Sequence, residues 1–155
     1  MKHSKEKILE IKPFFEDDQV EDSEGFEVLT NKQKIILAIG AEQCCCEKFG
    51  YFWCNDNPQD FIGAELFDIT ITDKALNEII MKKNNLILEE YEYSKISKKQ
   101  TCQFYNDGCF EGEALFINLK TNQGVLQFVA YNMHNGWYGH KIKVSCSQLN
   151  IKDYM

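Results

Sequence analysis

The residues of this chain best suited to chemistry are its thiols, its few imidazoles and two clusters of aromatic rings. Cys44, Cys45 and Cys46 are contiguous, and Cys54 follows shortly after. On a strand, alternate side chains share a face, so Cys44 and Cys46 would point one way and Cys45 the other. With Cys54 and His134 or His140 these thiols make a candidate metal set. The run lacks the spaced C-x2-C pairs by which structural zinc sites wrap one ion. Cysteine also packs as a small buried hydrophobe, and no cofactor is expected. A second chemistry is nucleophilic: Cys45, with His134 or His140 as base, would need an orienting Asp or Asn. The spacing alone fixes no such geometry.

The aromatic residues are the stronger lead. Phe49, Tyr51, Phe52 and Trp53 lie together, while Tyr131, Trp137 and Tyr138 bracket an Asn135-Gly136 turn. Tyr and Trp combine large apolar area with a polar tip, which suits interfaces and stacking on flat ligands. If the clusters meet, Tyr51, Trp53, Tyr131, Asn135, Trp137 and Tyr138 form a ligand-binding set, with Asn132 and Lys141 at its rim. Ordinary sheet packing competes, because aromatics favour strands. Among the carboxylates Glu42, Glu47, Asp56, Asp60, Glu65 and Asp68, no pair has acid/base spacing. Asp68, inside an apolar strand, reads as a solvent-facing position.

Composition narrows the partners. The chain has 155 residues and is expected to be one domain over 1–155, with 1–24 a peripheral segment containing an acidic loop. Hydrophobic residues at 44% supply a core without help from metal or disulfide. The net charge is −7, and every basic residue is lysine. Without arginine's planar fork, and with repulsion from phosphate, nucleic acid is excluded as a general partner. The N-terminus is charged with no apolar stretch behind it, and Ile35–Ile39 is too short to span a bilayer. A cytoplasmic location with reduced thiols and no membrane partner is expected. The remaining partners are a small molecule or a host protein, with homodimerisation through a sheet edge left open.

The elements that must position these residues read as follows. Residues 6–15 form a short edge strand or a lead-in stopped by Pro13. Residues 25–30 and 34–40 form a hairpin. Asn57-Pro58 starts a one-turn helix ending at Gly63, followed by a strand over 64–72. Ala75, Leu76, Ile79 and Ile80 share a helical face, predicting a helix over 74–83. Residues 86–93 form a strand. Residues 113–120, 124–132 and 137–146 predict a three-strand antiparallel meander. The expected fold class is therefore α+β: a mainly antiparallel sheet, a hairpin plus the meander, with one or two short helices.

Three landmarks, taken in order, carry a family resemblance. They are Cys44-Cys45-Cys46 after an apolar strand, Asp60-Phe61-Ile62-Gly63 before another, and Gly124-Val125-Leu126-Gln127-Phe128 followed by Asn135-Gly136-Trp137-Tyr138. Over about residues 25–146 this order resembles a small domain-of-unknown-function family of bacteriophages and Gram-positive bacteria. That family has a paired cysteine, an LIG-like turn and an NGYY-like closing turn. This chain departs by a third cysteine, Phe-Ile-Gly for Leu-Ile-Gly, Trp-Tyr for Tyr-Tyr, and an inserted helix. The resemblance carries over no activity; it implies a phage or prophage accessory protein. The leading expectation is a binding or interaction protein, of inhibitor or small-molecule-sequestering type, rather than an enzyme. A small cysteine-dependent enzyme and a structural zinc domain are the alternatives.

Overall fold

A computed structural model describes residues 5–17, 22–41, 48–72, 74–84, 86, 88–93, 100–104, 110–133 and 141–154. Strands dominate them: β1 (Ile8–Glu16), β2 (Ser23–Thr30), β3 (Lys34–Gly40), β4 (Lys48–Trp53), β5 (Leu66–Thr72), β6 (Leu88–Tyr93), β7 (Gln100–Phe104), β8 (Phe110–Thr121), β9 (Gly124–Met133), β10 (Lys141–Ser145) and β11 (Asn150–Tyr154). A 3-10 turn, Pro58–Phe61, lies between β4 and β5, and α1 (Glu78–Lys83) has six residues. No helix among the described residues is long and apolar enough to cross a membrane.

The strands form two antiparallel sheets. One runs β1-β2-β3-β10-β11; the other runs β4-β9-β8-β7-β6, with β5 also paired to β8. The fold is thus nearly all-β, which corrects the expected α+β class. Two local causes account for the difference. The helix expected over 74–83 starts only at Glu78, because the backbone before it bonds to a sheet side chain. Gln127 Nε2 donates to the Lys74 carbonyl, and the Leu76 N–H donates to Gln127 Oε1, at 2.9 and 2.8 Å. The Lys74 carbonyl, which a helix begun there would pair with Glu78 N–H, is then engaged by the sheet, and Leu76 is held outside the helix. The expected three-strand meander also breaks. Strand β9 already has β8 on one side and β4 on the other. Strand β10 therefore pairs with β3, Ile142 opposite Ile39 and Val144 opposite Leu37, in the other sheet. The hairpins β2–β3 and β8–β9 form as read.

Strand periodicity explains what holds the sheets together. Val28, Ile35, Leu37, Ile39, Ile142 and Val144 from one sheet pack on Leu115, Ile117, Leu119, Leu126, Phe128 and Ala130 from the other. Burying each large side chain contributes about 1.5–3 kcal/mol. Phe26 bridges the layers, stacked on Trp53 at 4.8 Å and edge-on to Tyr51 at 5.4 Å and Phe128 at 6.1 Å. The far face of the β4–β9 sheet has its own smaller core. There Ile80 and Met81 of α1, with Leu86, cover Phe52, Cys54, Phe116 and Val129.

One side of the sandwich is closed by backbone pairing. Ile8 N–H donates to Ala64 O, Gly63 N–H to Ile8 O and Leu66 N–H to Glu6 O, at 3.0, 2.7 and 2.8 Å. The start of β1 thereby joins the sheet it belongs to with the segment entering β5. Pro13 is tolerated in β1 because that strand lies at the edge of its sheet.

Candidate functional site

The inner faces of both sheets are apolar along most of their length and turn polar at one end. On β2 the inward phase runs Val28, Phe26, Glu24, so a carboxylate occupies a core-phase position. Its neighbour across the pair is Phe15 of β1, which is 65% exposed. In the other sheet the corresponding row is Glu113, Asn132 and Phe49, in register across β8, β9 and β4. The next row inward is Leu115, Ala130 and Tyr51. Asn132 is fully buried, while Glu24, Phe49, Tyr51 and Glu113 are half-buried. Phe49, Glu113 and Asn132 each have interaction partners of their own.

Electrostatics tie the two halves of this end together. Burial pushes the Tyr51 phenol above its ordinary value, and the Glu24 charge on the facing sheet raises it further. Tyr51 is therefore neutral at neutral pH. The strand ends nearby are also the ends that flank 18–21, 42–47 and 134–140. Ser23 pairs with Gly40, the Ala41 N–H reaches Asp22 O at 2.7 Å, and Lys48 pairs with Met133.

Of the six residues expected to bind ligand, Tyr51 and Trp53 come together on the inner face of β4. The Trp53 indole is edge-on to Phe128 at 5.9 Å, and its buried Nε1 has no hydrogen-bond partner among the described residues. Tyr131 points to the opposite face. It pairs in register with Gly50, and its ring lies tilted against Phe52 at 6.3 Å. A Cβ on Gly50 would come within 2.4 Å of the Tyr131 hydroxyl, so the ring occupies the space that the glycine leaves. Burial raises the Tyr131 phenol as well. Asn135, Trp137 and Tyr138 lie outside the described residues, and so does the Lys141 side chain.

The same holds for Cys44, Cys45, Cys46, His134 and His140, the metal and nucleophile candidates. Cys54 is described: it is buried on the far face under α1, its Sγ 3.3 Å from the Asn77 carbonyl. Burial raises its thiol, against the lowering effect of backbone hydrogen bonds from Asn77 and Leu76. A protonated buried thiol is a poor nucleophile and a poor metal ligand. Among the described residues no three His, Cys, Asp or Glu side chains converge as metal ligands. Asp68 is exposed and accepts from the Ile69 N–H at 2.9 Å, a local turn-like bond of a solvent-facing residue.

Sequence reading missed Phe15, Glu24 and Glu113. The signal was present: each glutamate continues the apolar phase of its strand, Glu24 with Phe26 and Val28, and Glu113 with Leu115 and Ile117. Reading residues 1–24 as a peripheral segment with an acidic loop hid the phase of Glu24.

Comparison with known proteins adds a family and no activity. A family model described as a domain of unknown function, DUF7448, matches residues 4–144. No curated protein and no solved structure matches the chain.

Proposed function

The chain belongs to the DUF7448 family, a domain of unknown function, and from that premise we propose that it is a small binding protein that sequesters a small molecule at the polar end of its sandwich. One observation carries the reading: the Glu24 carboxylate occupies a core-phase position on β2, across from the exposed ring of Phe15, while the facing sheet presents the half-buried Tyr51 and Glu113 at the same end. A charged group in an inward row costs stability unless something there uses it. The groups facing this end are rings, carboxylates and an amide, which suit holding a ligand rather than transforming it. The order of the cysteine run, the Asp60–Gly63 turn and the Asn135–Tyr138 turn supports a phage or prophage setting. The odd count of seven cysteines, which cannot all pair as disulfides, supports action in a reducing compartment such as the cytoplasm.

Native mass spectrometry of the protein purified from its own host tests this. The expected result is a retained small-molecule mass, or one regained on adding host small-molecule extract, that is lost in Tyr51→Leu. A clean apo mass, unchanged by that extract, would defeat the reading. The same spectrum tests homodimerisation through a sheet edge, which predicts a doubled mass.

A further inference from the structure

The class of ligand follows from the charge and the rings at this end. On the sheet that carries β2, most carboxylates already have lysine partners. Glu27 pairs with Lys12 at 3.0 Å and Lys34 at 3.5 Å, Glu10 lies 3.9 Å from Lys12, and Glu16 pairs with Lys143 at 3.2 Å. Glu24 differs: it makes no ion pair among the described residues. It stands directly across from the exposed Phe15, and the Tyr51 ring of the other sheet is edge-on at 5.4 Å to Phe26, the next inward residue of β2. Glu113 adds a second carboxylate on the inner face of that sheet.

We infer that this end binds an organic ammonium group carried by a small molecule, held between the Phe15 and Tyr51 rings and the Glu24 carboxylate. The inference rests on reading this end as a binding site. A cation over an aromatic face is drawn to the ring's negative quadrupole, more strongly where water is partly excluded. The carboxylate supplies the counter-charge, and the net charge of −7 favours approach of a cation over an anion. A flat neutral ligand would use the rings and leave the Glu24 charge unanswered. A hard metal ion would need several converging oxygens, and the described side chains offer none.

Calorimetric titration of the full chain with choline, and with its neutral isostere 3,3-dimethylbutan-1-ol, tests the charge requirement. Choline is expected to bind at least about tenfold more tightly than the alcohol. Glu24→Gln is expected to erase that preference. Phe15→Ala, at an exposed position that the core does not need, is expected to weaken choline binding. Phe67→Ser, at the opposite end of the sandwich, is expected to leave it unchanged. Equal affinity for choline and the alcohol, or a Glu24→Gln variant that keeps the preference, would overturn the inference. A neutral or anionic molecule retained in native spectra and lost in Tyr51→Leu would overturn it while sustaining the binding reading. Binding of neither choline nor any host molecule would end both.

Discussion

Gln127 shows how one polar side chain can decide local structure. It is buried on the far face of β9, and its amide is satisfied on three sides. It accepts from Leu76 N–H and donates to Lys74 O and to Asn118 Oδ1, each within 2.9 Å. Gln127→Leu would deprive these part-buried groups of their partner, at a cost of roughly 2 kcal/mol. Urea denaturation should show that loss, with faster amide exchange over 74–80. A loss below about 1 kcal/mol would mean that other contacts hold the segment. Two glycines divide in the same physical terms. A Cβ on Gly25 would sit 1.9 Å from the Leu37 carbonyl oxygen, which is backbone, whereas one on Gly50 meets the end of the Tyr131 ring. Gly25→Ala is therefore expected to destabilise far more than Gly50→Ala in thermal melts. Only the Gly50→Ala cost should be relieved by adding Tyr131→Leu.

Glu27 makes a pH prediction at the same scale. Partial burial acts to raise its carboxyl, but the Lys12 hydrogen bond and the Lys12 and Lys34 charges outweigh this and hold it below the ordinary range. A carboxyl lowered in the folded state contributes stability above its unfolded value, and that contribution is lost as pH falls through the folded value. The stability gap between the native chain and Glu27→Gln should be full at neutral pH and close below about pH 4. A gap that stays constant down to that range would show that the pairing contributes nothing. These side-chain roles were not legible in the sequence: a Gln in a strand or a Glu among lysines acquires its meaning only from what lies across the sheet.

At the scale of elements, strands were more legible than helices. Alternation in 25–30 and 113–120, and the continuous apolar run in 34–40, mark strands without help from the rest of the chain. The helix over 74–83 had an equally regular pattern, yet only Glu78–Lys83 is helical. A helix this short draws little from its own ladder and depends on packing and its cap. Asn77 supplies the cap, accepting from Ile79 and Ile80 N–H at 3.0 and 3.3 Å. Asn77→Ala should cost about 1 kcal/mol, read as a lowered denaturation midpoint. It should also expose Cys54, whose alkylation is expected to be slow in the native chain and faster in the variant. The pairing of β10 with β3 was the least legible feature, because register with a distant strand leaves no mark in local periodicity.

For the molecule as a whole, the two ends of the sandwich carry different surfaces. At the seam between β1 and the segment entering β5, Leu9, Ile62 and Phe67 are exposed, and Leu9 and Phe67 each sit at a register shift. The other end carries the aromatic and acidic rows. The sequence pointed to the rings of β4 but not to the facing sheet that completes the site. It also grouped Tyr131 with Tyr51, although strand parity sends them to opposite faces. The central claim is that ligand enters between the sheets at the Glu24 end. Backbone amide chemical-shift mapping during titration with host small-molecule extract tests this most directly. Saturable shifts are predicted to cluster at residues 15, 24, 26, 49, 51, 113 and 132. Shifts confined to the seam around residues 9, 62 and 67, or to Leu76 and the α1 residue Ile79, would contradict it.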